Sequence, residues 1–328
     1  MYVKRRYSFW MTFNWSKWPF IIGIIYNFLI CAISYFFDIN LSLPWGPLGV
    51  IGIAVAFYLG FKNNSSYDRT WEARKIWGSI VNNSRTFGAA VVAFLKGQQQ
   101  QELRKELIYR HIAWMTALRH QLRLSKEWEH TENRLNGIYA PIVCEDYNNK
   151  LDSELGQYIS ENELEQLEGK TNKATQILKN QSNRLQEIRE KDYYDDFRHM
   201  ELHQLISSFY TDQGKSERIK NFPFPRQYAS VTLWITLVFT ALIPFGLMDI
   251  MIGKEPWMIW ICPFLGGLIT WVFYLMEKIG DYSENPFEGT YNDIPITSIS
   301  RAIEIDLREM IQDNDIPEPI KDSNGFLM

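Results

Sequence analysis

Side chains able to ligate a metal, attack a carbonyl or cradle a phosphate occur in this 328-residue sequence, but none stands in a complete catalytic or ligand-set spacing. His199 and His203 stand four residues apart, which brings two imidazoles onto one face of a helix. Two nitrogens fall short of a zinc ligand set, and no carboxylate follows in a known pattern, so no metal and no cofactor is expected. A solvated helical face with some pH sensitivity is the plainer expectation. Cys31, Cys144 and Cys262 show no CxxC spacing, and two of them lie inside apolar runs, which argues against a disulfide scaffold and a cysteine zinc site. No Walker loop, GxGxxG, HExxH or GxSxG occurs. The nearest glycine pattern, Gly46, Gly49 and Gly52, sits in an apolar run where no phosphate could be held. The sequence therefore does not read as an enzyme. What it has in density is an apolar pattern in Gly49 to Phe61. Ile53, Phe57 and Phe61 recur every four residues along one face, and Gly52, Ala56 and Gly60 form a small-residue stripe beside them.

That segment is one of four long uncharged runs. They extend from Trp18 to Phe37, Ile39 to Phe61, Gln227 to Met248 and Pro256 to Met276. Each is close to the ~20 residues that a helix needs to cross a bilayer, and only helices satisfy their own backbone there. The composition hides this segregation: 46% of residues are hydrophobic and 15% aromatic, yet 22% are charged. The charged residues are concentrated between the runs. The fold class expected is an all-α integral membrane protein with four transmembrane helices and a long helical cytoplasmic region.

Basic residues set the orientation. Lys4, Arg5, Arg6 and Lys17 precede the first run, and Lys62, Arg69, Arg74 and Lys75 follow the second. Lys215, Arg218, Lys220 and Arg226 precede the third, and Lys278 follows the fourth, whereas the two short links hold only Lys254. Both termini and the middle segment are thus expected on the cytoplasmic side of the inner (plasma) membrane. Trp10, Trp15 and Trp18 among basic residues read as an aromatic belt, and the absence of a small-residue cleavage site predicts an uncleaved first span. The predicted organisation is residues 1–62 (an interfacial segment and two spans, with a pore helix at 45–61), 63–226 (cytoplasmic helices), 227–276 (two spans) and 277–328 (a cytoplasmic C-terminal segment).

Within the middle segment, Leu103, Leu107, Ile108, Ile112, Leu118 and Leu122 mark one amphipathic helix. Ser160 with Glu163 forms a capping box ahead of Leu164, Leu167, Ala174, Ile177, Leu178, Leu185 and Ile188. These stripes predict core between helices. The acidic stretch from Glu145 to Glu168 and the Gln98 to Gln101 run read as solvated surface. A formal charge of -4 without a basic patch excludes nucleic acid as a partner.

Two arrangements fit the second span. Small residues let helices approach closely in lipid. Either the stripe packs helices within one chain and the aromatics face lipid, or copies of the helix surround an axis and Ile53, Phe57 and Phe61 form a hydrophobic constriction.

The run Gly60-Phe61-Lys62-Asn63-Asn64-Ser65-Ser66-Tyr67-Asp68-Arg69, followed by Glu72-Ala73-Arg74 and Trp77-Gly78, resembles the signature after the second span of bestrophins. Asn285-Pro286-Phe287 and Asn292-Asp293-Ile294-Pro295 resemble the family's next landmark, and the shorter form is similar to bacterial members. The resemblance covers nearly the whole chain. It implies a homopentamer in the bilayer, partnered by itself, lipid and permeant ions, with one axial pore. The neck it implies falls on Ile53, Phe57 and Phe61, with Gly52, Ala56 and Gly60 packing the pore helices. A cytoplasmic aperture, counted back from Pro225, falls on Phe197. The Ile/Phe/Phe neck is similar to the animal, anion-conducting pattern, which points to chloride or other monovalent anions. A cation-selective channel, as in some bacterial members, is the alternative, with a coupled transporter or a scaffold beyond it. Of the acidic run that helps animal bestrophins clasp calcium, Asn285 and Asp293 remain as a weak remnant, while Thr290 stands where a carboxylate would be.

Overall fold

The computed structural model describes residues 1–97, 100–130, 147–290 and 292–328; Gln98, Gln99, Tyr291 and all of 131–146, with Cys144 and Glu145, lie outside them. The described residues are mostly helical, with four helices long and apolar enough to cross a membrane. Two compact units emerge.

One unit comprises residues 4–69 and 223–284. Helix α1 (Phe9–Phe37) starts where the Ser8 hydroxyl accepts from the Met11 amide at 3.1 Å and stops at Asp38, which turns left-handed at φ 53°. The helix begins ahead of the apolar run, so Trp10, Trp15 and Trp18 belong to it. Helix α2 begins only at Trp45 although the uncharged run starts at Ile39. The Leu43 amide bonds instead to the Phe245 carbonyl at 3.1 Å, and the Trp45 amide donates to the Asp249 carboxylate at 3.0 Å. A side chain 204 residues away thus supplies the anion that a helix N-terminus favours. The α2 helix extends without a break from Trp45 to Phe94.

Two further helices complete this unit: α8 (Arg226–Met251) and, after a 3₁₀ turn at Pro256–Ile261, α9 (Cys262–Asp281). Pro263 inside the first turn of α9 sits where its missing N–H costs nothing. Helices α1 and α9 lie very close. A Cβ added to Gly267 would meet Ile24, and one added to Gly266 would fall 2.0 Å from the Asn27 amide oxygen. Small residues let these backbones approach, as expected of helices that cannot rely on the hydrophobic effect in lipid.

The other unit comprises residues 1–3, 70–222 and 285–328. It holds the rest of α2 together with α3 (Gln100–Arg123), α4 (Tyr147–Leu155), α5 (Glu161–Leu167), α6 (Lys173–Glu190), α7 (Asp196–Asn221) and α10 (Ile296–Met310). The leucine and isoleucine stripe predicted for α3 is buried throughout. Trp77, Phe87, Trp114 and Phe209 fill the centre, and each is almost fully enclosed. What reads in sequence as one stretch after Ser160 is two helices. The Ser160 hydroxyl accepts from the Glu163 amide at 3.3 Å and starts α5, but Asn172 caps a separate α6. The Glu163 carboxylate does not return to the cap, because Arg110 holds it through bonds of 2.9 and 3.0 Å.

Candidate pore-lining site

Helix α2 has two unlike faces between Leu48 and Ser66. Gly52, Val55, Leu59, Lys62 and Ser66 are buried, with the 3–4 spacing of a single stripe. Ile53, Phe57 and Phe61 occupy another stripe and are 73%, 66% and 54% exposed. The rings of Phe57 and Phe61 meet edge to face, 4.6 Å between centroids at 82°. Beside them lies a groove of about 630 Å³ walled by Phe57, Phe61, Phe224 and Tyr228, with Arg69 at its polar end.

The small-residue stripe divides between two roles. Gly52 is a contact within the chain: a Cβ there would lie 2.8 Å from the Phe239 ring of α8. Gly60 faces open space, with nothing within 4 Å of an added Cβ. Ala56, between them, is half-buried.

Lys62 follows the aromatic stripe, yet its charge does not join it. Its ammonium turns into the helix packing, with a side-chain exposure of 1%, and bonds to Glu277 at 2.7 Å with Asp281 at 3.7 Å. A buried cation needs such partners, since desolvation would otherwise cost several kcal/mol. The next arginine is also fixed: Arg69 donates to the Glu284 carbonyl at 2.8 Å, and the Glu284 carboxylate takes Arg226 at 2.8 Å. Burial holds the Glu284 carboxyl above the usual range despite that arginine.

Phe197 stands in the first turn of α7 and is 89% exposed, an extreme value for a phenylalanine. Asp195 caps this helix by accepting from the Arg198 amide at 3.0 Å. Asp196 pairs with Arg189 at 2.5 Å, and that bond holds its carboxyl below the ordinary range. The acidic residues beside Phe197 are therefore partly neutralised. His199 and His203 stack at 6.2 Å, and burial together with the neighbouring imidazole lowers the His199 pKa. Among the described residues no group of three metal-ligating side chains forms.

The Asn285 to Pro295 loop is organised around Asp293. Its carboxylate accepts the Phe287, Gly289 and Ile294 amides at 2.8, 2.6 and 2.6 Å, and the buried Arg123 guanidinium completes the set. Phe287 pays for this arrangement with a left-handed backbone, φ 72°, while its ring is fully buried 6.5 Å from that of Trp77. Asn285 donates to the Trp128 carbonyl at 3.4 Å. Sequence reading did not find Arg123, because no local pattern links residues 170 positions apart. The Lys62 clamp had a signal: a lysine directly at the end of an apolar run, with acidic residues at the end of another.

The chain matches the family described as bacterial/fungal bestrophin protein over residues 18–309. A protein of Escherichia coli named "voltage-dependent anion channel-forming protein YneE" is 25% identical over 303 residues, covering 90% of this chain and 88% of its own. A Mesorhizobium japonicum protein named "voltage-dependent anion channel-forming protein mll4386" is 25% identical over 295 residues, covering 89% and 84%. The crystal structure of a bacterial bestrophin homologue from Klebsiella pneumoniae superposes with a TM-score of 0.75 at 22% identity, covering 91% of this chain and 99% of that one. A family match over most of the chain, with this likeness of fold, makes the protein a member of the bestrophin family.

Proposed function

We propose that copies of this chain assemble around an axis in the membrane and form an anion channel. Ile53, Phe57 and Phe61 line its neck, and Phe197 forms a second, cytoplasmic constriction. The observation that carries this reading is the exposed aromatic stripe, on a helix whose packed face lies elsewhere. Relatives named as anion channel-forming proteins support it.

The electrostatics agree with anions. Aromatic rings presented edge-on offer the positive rim of their quadrupole to a partly dehydrated anion. Neither lysine nor carboxylate stands on the stripe, and Lys62, which follows it, turns away to Glu277 and Asp281. Beside Phe197, Arg189 offsets Asp196. A cation-selective pore would want free carboxylates at its constrictions. The family and its channel-named relatives point to a channel and away from an enzyme. Both termini and the residues between the second and third spans lie on the cytoplasmic side in this reading, and chloride is the expected permeant ion. Calcium is not part of this reading, because the Asp293 carboxylate already accepts three backbone amides and the Arg123 guanidinium.

Purified protein in planar bilayers under an asymmetric chloride-salt gradient tests the proposal. Reversal near the chloride equilibrium potential is expected, and Phe57→Ala should change the unitary conductance. Reversal near the cation potential, or an unchanged Phe57→Ala current, would overturn it.

A further inference from the structure

A cavity of about 230 Å³ remains between α3, α10 and the end of α4. Helix α3 lines it with Ile112, Met115 and Arg119, and α10 with Thr297, Ser300 and Glu304. Both triplets have the 3–4 spacing of a single helix face. Ile320, from the C-terminal stretch, closes one side.

The charges in this wall are already matched. Arg119 bonds to Glu154, which also meets the His120 ring at 3.1 Å. Glu304 accepts from the Tyr158 hydroxyl at 3.1 Å and from Arg308 at 2.9 Å, with Arg301 at 3.4 Å. The hydroxyls are not matched. Thr297 and Ser300 are 7% and 8% exposed, and neither side-chain oxygen has a hydrogen-bond partner among the described residues. Serine within a helix commonly returns its proton to the carbonyl one turn back, and Ser300 does not. Buried polar atoms are almost always satisfied, so two orphans one turn apart on one cavity wall mark an unmet demand. The space is several times the ~30 Å³ share of a single water.

We infer that this cavity binds a small neutral polyhydroxylated compound, a polyol or a monosaccharide. A ligand with net charge would split one of the ion pairs or leave its own charge without a partner in a partly enclosed site. A hydroxyl both donates and accepts, as each orphan requires, and it also meets the spare lone pairs and N–H groups of the paired carboxylates and guanidinia. Ile112, Met115 and Ile320 offer an apolar surface to a carbon skeleton. The volume falls below the range of about 300–1,000 Å³ typical of drug-sized ligands, which suits a single small ring or short chain. This inference does not depend on the ion that the channel conducts.

The test uses the full-length protein in nanodiscs, with ribitol, xylose and myo-inositol as neutral probes and phosphate and glutamate as charged ones. Saturation-transfer NMR and calorimetry should show saturable binding of at least one neutral probe and none of the charged pair. The double variant Thr297→Val/Ser300→Ala should weaken that binding by at least about tenfold, the equivalent of one lost hydrogen-bonding partner. Its melting temperature should not fall, because the deleted hydroxyls bond to nothing in the protein. Absence of saturable binding by all three neutral probes, preference for a charged probe, unchanged binding by the variant, or a lowered melting temperature would each overturn the inference.

Discussion

At the scale of single residues, Asp293 and His111 carry the clearest consequences. Asp293 joins a loop to a helix through one carboxylate, three backbone amides and Arg123. Asp293→Ala would leave the guanidinium buried without its anion, at a cost of about 3–5 kcal/mol. Thermal melting should show a large drop for this variant. Addition or chelation of calcium should leave the wild-type melting temperature unmoved; a rise with calcium would show a bound ion at this loop. His111 is enclosed by Phe87, Trp114 and Phe209, with its Nε2 2.9 Å from the Ser84 hydroxyl. Burial pushes its pKa down to about 3, so it is neutral in the folded protein. The unfolded chain takes up a proton first, near pH 6.5, and the stability held by the neutral ring is complete only above that pH. It falls by about 1.4 kcal/mol for each unit between pH 6.5 and pH 3. A His111→Phe variant should flatten this part of a melting-temperature profile, and an undiminished slope would place the acid sensitivity elsewhere.

At the scale of elements, Gly52 and Gly60 separate packing within a chain from contact between chains. Gly52→Val drives a branched side chain into Phe239, an overpacking that costs about 1–3 kcal/mol. It should lower the melting temperature of the solubilised protein. Gly60→Ala meets nothing in its own chain and should leave that temperature unchanged. Sequence reading located the stripe but could not divide it, since spacing records a face and not the neighbour that covers it. The apolar spans were legible because hydropathy over ~20 residues has few competing explanations. Their ends were legible only in part: α2 starts at Trp45, as expected of the pore helix, where the Asp249 carboxylate accepts the Trp45 amide, but it passes the expected end at Phe61 and continues to Phe94. The stripe from Leu164 to Ile188 is likewise interrupted: α5 ends at Leu167, Gly169 takes a left-handed φ of 68°, and Asn172 caps a separate α6. The α3 stripe, by contrast, was readable residue by residue. Of the proposed site, the aromatic stripe was visible as spacing and Phe197 only through resemblance, while the partners that silence Lys62 and Asp196 depend on contacts that spacing does not encode.

At the scale of the whole molecule, one α2 helix per chain offers one aromatic stripe, and one stripe cannot enclose a lumen. Conduction through this face therefore requires several copies, and the resemblance to bestrophins sets the expected number at five. The open flank at Gly60 allows a neighbouring copy to approach, whereas Gly52 is already occupied by its own chain. Native mass spectrometry of the detergent-solubilised protein should give a principal species of five times the 38.7 kDa chain mass. Gly60→Ala should reduce that species or alter its conductance, though the single chain folds as before. A principal species of one chain that still passes unitary currents would remove the need for a ring and with it the neck. A pentamer whose conductance ignores substitutions at Ile53, Phe57 and Phe61 alike would keep the assembly but move the ion path to another surface.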